Sequence, residues 1–187
     1  KLFNLKGNAL RKLYVFLKSI IVYNLNREKI YMKISKKLEP VVAGLSASII
    51  IGVLAFLSFE TSTGFWLMFS FGSTTLIVLI FFKSEFAQPG NIFFGHLLGI
   101  IIGILFNEFL GISFITLGLA VGVTVTLMMY LKVVHPPAAA NPLIALFADV
   151  SIEYIVFPVM AGTIIIIFLS LIINKYLLKR IYPKRWF

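Results

Sequence analysis

Apolar residues in this chain fall into six long runs, at residues 41–59, 64–82, 92–106, 112–131, 137–148 and 154–174, separated by short polar stretches. A bilayer core about 30 Å thick takes roughly 20 helical residues to cross. Four runs meet that length, 92–106 falls slightly short, and 137–148 has the length of a half or re-entrant helix. Ahead of them the pattern changes. Between Ala9 and Asn24 the residues Leu10, Leu13, Tyr14, Leu17, Ile20 and Ile21 recur at helical spacing, while Arg11, Lys12 and Lys18 fall off that stripe. A basic amphipathic helix of this kind lies in the headgroup layer rather than crossing it. A weaker stripe, Ile30, Ile34 and Leu38, leads into the first run. The pattern predicts an all-α membrane protein of about six transmembrane helices, the fifth short or re-entrant, preceded by an N-terminal amphipathic helix.

Composition excludes a soluble globule. The chain is 60% hydrophobic and 13% charged, with a mean hydropathy of +1.01, whereas soluble domains run near 45–50% apolar and about 25% charged. The absence of cysteine removes disulfides, thiolate metal sites and cysteine nucleophiles. With only two histidines, a metal site would need both of them plus carboxylates. The common hydrolase, zinc-protease and phosphate-loop signatures are missing. No enzyme activity, cofactor or metal is therefore expected.

The charge balance of +10 could suggest nucleic acid, but the positions of the bases argue against it. If all six runs cross, residues 1–37, Lys83, Lys132 and the cluster Lys175, Lys179, Arg180, Lys184 and Arg185 share one side. Glu60, Glu108, Asp149 and Glu153 share the other with no base among them. That is the positive-inside distribution, with both termini cytoplasmic. A re-entrant fifth run would put the C-terminal bases outside, which favours six crossings. The chain divides into a basic amphipathic segment on the cytoplasmic membrane surface (1–38), a transmembrane domain (39–178) and a basic cytoplasmic tail (179–187). The partners expected are the bilayer, anionic lipids at the cytoplasmic face and no nucleic acid; a homo-oligomer is allowed for. A bacterial inner membrane is the expected location.

An internal repeat runs through the spans. Pro40, Pro89 and Pro137 are 49 and 48 positions apart, each opening a span. Proline fits there because the first helical turn leaves its N–H unpaired anyway. Ser48-Ile-Ile-Ile-Gly52 in the first span matches Gly99-Ile-Ile-Ile-Gly103 in the third, and Phe71-Gly-Ser-Thr-Thr-Leu76 resembles Val121-Gly-Val-Thr-Val-Thr126. These similarities predict three hairpins of like orientation about a pseudo-threefold axis, with a substrate site at the repeat interfaces. Glu39, Gln88 and His135, beside the three prolines, would form a polar ring at the cytoplasmic mouth.

The stretch from Val134 to Pro142, Val-His-Pro-Pro-Ala-Ala-Ala-Asn-Pro, is the most unusual in the chain. Tandem prolines fix an extended approach, and Pro142 is expected to weaken the helix one turn in. Non-helical backbone at membrane depth occurs where it lines protein or a water-filled cavity. His135-Pro136-Pro137-Ala138, after a Thr-Leu-Met-Met span, resembles the signature of the HPP family of integral membrane proteins. The similarity extends to Phe71-Gly-Ser-Thr, Ala87-Gln88-Pro89-x-Asn91, Gly95-His96 and Phe157-Pro158-Val159, covering about Pro40 to Leu171. Where the family usually has His-Pro-Pro-Ala-Gly-Ala, Ala139 replaces the glycine. Family members are usually described with about four spans, fewer than the six read here. The resemblance implies a transporter, with plastid and cyanobacterial relatives associated with nitrite.

His96 is the ionisable residue set well inside a span, and such residues are costly enough to suggest function. The plainer alternative is a neutral imidazole hydrogen-bonded between helices. Gly95, Gly99 and Gly103 form a Gly-x-x-x-Gly ladder that reads as helix packing. Gln88, Asn91 and Asn141 could cap free N–H groups or donate to an anion at the starts of the third and fifth helices. Ser73, Thr74, Thr75, Thr124 and Thr126 could line the path or bond back to their own helix. The site expected is His135, Pro136, Pro137, Asn141, Gln88, Asn91 and His96. The function expected is a transporter or channel for a small, nitrite-like inorganic anion. The alternative is a non-transporting adaptor or sensor using the basic N-terminal segment to bind a partner or anionic lipid.

Overall fold

The computed structural model describes residues 37–61 and 66–186. The amphipathic helix expected near the N-terminus lies outside the described residues. A chain in hydrocarbon must satisfy its backbone internally, and each apolar run does so by forming a helix. These are α1 (Glu39–Glu60), α2 (Phe69–Ile80), α3 (Pro89–Leu110), α4 (Phe114–Tyr130), α5 (Asn141–Ala148) and α6 (Ala161–Ile172). Tight 3₁₀ turns, Glu85–Ala87 and Pro136–Ala140, lead into α3 and α5. The chain before α6 kinks at Phe157, whose backbone is extended (φ −127°, ψ 118°), and a wider π-helical turn, Ile173–Leu177, follows α6. Among the described residues there is no strand. Glu39–Glu60, Pro89–Leu110 and Ile155–Leu177 are long and apolar enough to cross a membrane; the other three helices are shorter.

Local sequence sets the helix ends. Pro40 and Pro89 occupy first turns. Gly111, at φ +65°, closes α3 in a conformation that glycine adopts freely. Ser113 and Thr116 cap α4 reciprocally, each hydroxyl accepting from the other's backbone N–H at 3.2 and 2.8 Å. Pro142 departs from expectation. It stands in the first turn of α5, starting the helix rather than weakening it. The fifth segment is therefore a 3₁₀ turn followed by eight helical residues, together about 22 Å long.

That segment lies along α3, because the glycine ladder leaves no side chain between them. A Cβ on Gly95 would come within 2.8 Å of His135 Cβ, one on Gly99 within 2.5 Å of the Ala138 carbonyl oxygen, and one on Gly103 within 2.6 Å of Ala145 Cβ. Contacts advance in the same sense on both elements, so they run parallel. Beyond them, Asn107 Nδ2 donates to Asp149 Oδ1 at 2.6 Å. The fifth segment thus keeps level with α3 almost to its end and does not turn back.

The expected hairpins form twice. α1 packs on α2 and α3 on α4, whereas α5 rests mainly on α3 and α4, and α6 on α1, α2 and α3. The close approach to the glycine face of α3 draws α5 away from its sequence neighbour. Phe71, Ile50, Leu54, Ile92, Ile100 and Ile166 form the apolar core. Polarity is inverted relative to a soluble protein. Phe69 and Phe114 are 96% and 85% exposed, while Thr74, His96, His135, Asn141, Ser170 and Asn174 are fully buried. An apolar exterior of this extent is a lipid-facing surface.

One end of the bundle gathers the bases. Arg180 pairs with Glu39 and donates to the Leu79 carbonyl. The tail then folds under α3: Tyr182 Oη donates to the Ala87 carbonyl at 2.7 Å, and Gly90 N–H donates to the Trp186 carbonyl at 2.9 Å. Burial pushes the Tyr182 phenol above its ordinary value, which keeps it a donor.

Candidate functional site

The site grows from one face of α2. Ser70 and Thr74, four residues apart, point the same way toward α3 and the turn that begins at His135. On α3 the matching positions are Gly95 and His96; the missing side chain at Gly95 is what lets His135 approach. His135 itself is extended, at φ −138° and ψ 100°, as a residue before proline prefers.

Five side chains then connect. Thr74 Oγ1 is 2.8 Å from His96 Nε2 and 3.0 Å from His135 Nε2. His135 Nδ1 is 2.7 Å from the Phe86 carbonyl oxygen. Asn141 Nδ2 is 3.0 Å from His96 Nδ1 and 3.0 Å from the His96 carbonyl oxygen. Ser70 Oγ donates to Asn141 Oδ1 at 2.9 Å. The edge of the Phe71 ring packs on the His96 imidazole, centroids 5.3 Å apart.

These contacts assign the protons of the neutral network. A carbonyl only accepts, so His135 Nδ1 carries a hydrogen and Nε2 accepts. The Asn141 amide gives its two hydrogens to the His96 carbonyl and to Nδ1, so His96 carries its hydrogen on Nε2. The chain then has one direction: Asn141 donates to His96, His96 to Thr74, Thr74 to His135, and His135 to the Phe86 carbonyl. Every buried imidazole nitrogen has a partner.

A second arrangement uses the same heavy atoms. Thr74 Oγ1 also lies 3.1 Å from the Ser70 carbonyl oxygen. If His135 carried a second proton, its Nε2 would donate to Thr74, whose hydroxyl would rotate to Ser70. A proton can therefore be accepted by rotating one hydroxyl, with every donor still paired. Among the described residues no group of three His, Asp or Glu side chains stands close enough to hold a metal ion.

The residues singled out in the sequence divide. His96, His135 and Asn141 are in the network. Asn91 stands beside it, donating to the Val134 carbonyl at 3.0 Å. Pro137 is buried under it, while exposed Pro136 joins Pro137 along a groove of about 810 Å³ between α2 and α5, into which Ser70 and Ser73 also open. Gln88 lies apart. Its amide nitrogen donates to the Phe82 and Ser84 carbonyls, and its oxygen accepts from the Lys184 and Arg185 backbone. The polar ring of Glu39, Gln88 and His135 does not form: Glu39 holds Arg180, Gln88 anchors the tail, and His135 is buried.

Sequence reasoning grouped Thr74 with four other hydroxyl residues, and only its position between two imidazoles sets it apart. It also passed over a mixed-charge groove. A depression of about 700 Å³ beside the network is lined by Asn91, Val134, Lys132, Phe86 and the ion pair of Arg185 with Glu85, 3.6 Å apart. The signal available was the positive charge of Lys132, just ahead of the His-Pro-Pro motif.

Comparisons with known proteins agree with a membrane protein. A family described as HPP, transmembrane region, matches residues 32–183. Two transmembrane proteins of Dictyostelium discoideum are each 30% identical to the chain, over 125 and 153 residues. The alignments cover 63% and 76% of this chain but 44% and 49% of those proteins, so the chain spans about half the length of the curated relatives it matches. No solved structure matches it. The bacterial inner membrane expected from the sequence draws no support from these relatives.

Proposed function

Since the chain belongs to the HPP transmembrane-region family, we propose that it is a membrane transporter that moves a small inorganic anion, nitrite being the leading candidate, together with a proton. The observation that carries this reading is the Thr74 hydroxyl bridging two buried imidazoles. Titratable groups inside a bilayer are costly and mark transport pathways by default. This pair takes up a proton by a hydroxyl rotation alone, and no carboxylate among the described residues contacts it to balance the charge. An accompanying anion would balance it, which makes joint movement of the two electrically economical.

The groove beside the network supports an anionic cargo through Lys132, which lines it with Asn91 and Val134, immediately before His135. Arg185 there is paired with Glu85 at 3.6 Å. We read this end as cytoplasmic, with both termini there and six crossings. The gathered bases support that side, and the α3–α5 register supports a crossing fifth segment.

The test is nitrite uptake by the purified chain in proteoliposomes. Uptake should be stimulated by a proton gradient directed with the anion. Failure of the wild-type chain to take up nitrite or other small monovalent anions at any gradient would overturn the proposal.

A further inference from the structure

A groove of about 540 Å³ lies along the α1–α2 hairpin, away from the imidazole network. Gly44 and Ala47 of α1 and Gly72 and Leu76 of α2 line its length, and Glu39 and Arg180 stand at one end. The groove is there because side chains are withheld. A Cβ added at Gly44 or Gly72 would meet nothing within 4 Å, whereas the α3 ladder and Gly162 each admit a close neighbour. Glycine inside a helix is costly relative to alanine, and no contact within the described chain offsets that cost at these two positions.

The lining runs over residues 39–47 of α1 and 72–80 of α2, about 12 Å along each helix axis. One leaflet of the hydrocarbon core is about 15 Å deep. Starting from Glu39, at the end of the bundle where the bases gather, the groove therefore stays within a single leaflet. Its walls beyond Glu39 and Arg180 are apolar, and its side is open to lipid.

The charged end has more cation than anion. Arg180 is held on three sides, by the Glu39 carboxylate, the Leu79 carbonyl and the Phe82 ring, whose centroid is 4.5 Å from its guanidinium carbon. Lys83 does not line the groove, but its ammonium lies over the same Phe82 ring at 5.7 Å. Among the described residues the ion pairs are Arg180 with Glu39 and Arg185 with Glu85, so Lys83 has no carboxylate. Two cations thus share one ring and one carboxylate. Arg180 uses two of its five N–H donors on Glu39 and Leu79, which leaves others for a further acceptor.

We propose that this groove binds an anionic phospholipid, one acyl chain lying between Gly44 and Gly72 and the phosphate meeting Arg180 and Lys83. An acyl chain matches a narrow apolar slot confined to one leaflet. A phosphate matches an ammonium beside a guanidinium fork. Glu39 offsets most of the Arg180 charge, so Lys83 supplies the preference for a negative headgroup. A second copy of the chain packed on the same glycines would leave that unpaired ammonium without a role. The site is independent of the imidazole pair and of the anion-transport reading.

The test involves no transport. The purified chain is melted in a neutral detergent with added phosphatidylglycerol or phosphatidylcholine of the same acyl chains, and retained lipid is counted by native mass spectrometry. Phosphatidylglycerol should raise the midpoint saturably and remain bound, while phosphatidylcholine raises it far less. Glycerol 3-phosphate, which has the phosphate without a chain, should leave the midpoint unchanged. Lys83→Gln should weaken phosphatidylglycerol binding about fivefold. Gly44→Leu and Gly72→Leu, which fill the groove where no neighbour obstructs, should abolish the retained lipid. Should a leucine variant fold poorly, Lys83→Gln still reads the headgroup preference, because that side chain is exposed. Equal shifts by the two lipids, or retention that survives the leucine variants, would overturn the site. A dimer that is lost in Gly72→Leu, with no lipid retained by the wild-type chain, would assign the groove to a second copy instead.

Discussion

The imidazoles of His96 and His135 stand 5.0 Å apart, centroid to centroid, and turn their Nε2 atoms to the same hydroxyl, that of Thr74. One ring sits inside α3 and the other in a turn before α5. A single β-branched side chain from α2 joins them, so any proton that reaches one ring is one hydroxyl away from the other.

Thr74→Val removes the bridge while nearly keeping the volume. Both Nε2 atoms lose a buried partner, which costs about 1–3 kcal/mol and should lower the melting midpoint in detergent. If the hydroxyl carries protons, residual flux in proteoliposomes should no longer respond to a proton gradient. A gradient response equal to that of the wild-type chain would show that the bridge is structural only.

Glutamine at either imidazole tests the titration itself. His135→Gln can still donate to the Phe86 carbonyl, and His96→Gln can still offer Thr74 a donor, but neither amide binds a proton at neutral pH. Flux in the wild-type chain should rise as pH falls on the side from which the anion enters. It should be nearly flat in each variant, because the two rings form one chain. An unchanged profile in His135→Gln would remove the His-Pro-Pro motif from the mechanism.

The glycine ladder separates packing from chance composition. Gly99→Ala puts a methyl group 2.5 Å from the Ala138 carbonyl oxygen, and forcing the α3–α5 contact apart should cost about 1–3 kcal/mol. Gly52 has nothing within 4 Å of its added Cβ, so Gly52→Ala should change stability by no more than about 0.5 kcal/mol. Comparable losses at the two positions would contradict the register described here.

Topology can be mapped without background because the chain has no cysteine. Single cysteines at Glu60, Glu108 and Asp149 should react with an impermeant thiol reagent applied from outside the cell, and those at Lys83 and Lys132 should not. Labelling of the Asp149 site only from the cytoplasm would make the fifth segment re-entrant, against its alignment with α3.

By itself the sequence determined the environment, the class and the elements. Six apolar runs with polar breaks can only become helices in a bilayer, and Pro40, Pro89, Gly111 and Ser113 fix helix ends through local backbone chemistry. The Gly95-Gly99-Gly103 spacing announced a close helix contact, though not its partner. What only the tertiary structure decided is which side chains meet. Ser73, Thr74, Thr75, Thr124 and Thr126 are chemically alike along the chain, and the packing of α2 gives two of them different surroundings. Thr74 faces two imidazoles, while Thr75 is buried with no hydrogen-bond partner among the described residues. Gln88 and Asn91 look equivalent at the start of α3, but the returning tail takes the first and the Val134 carbonyl the second. Helical periodicity says which face a residue shares with its neighbours; the partner opposite that face depends on packing between segments far apart in the chain, which local pattern does not encode.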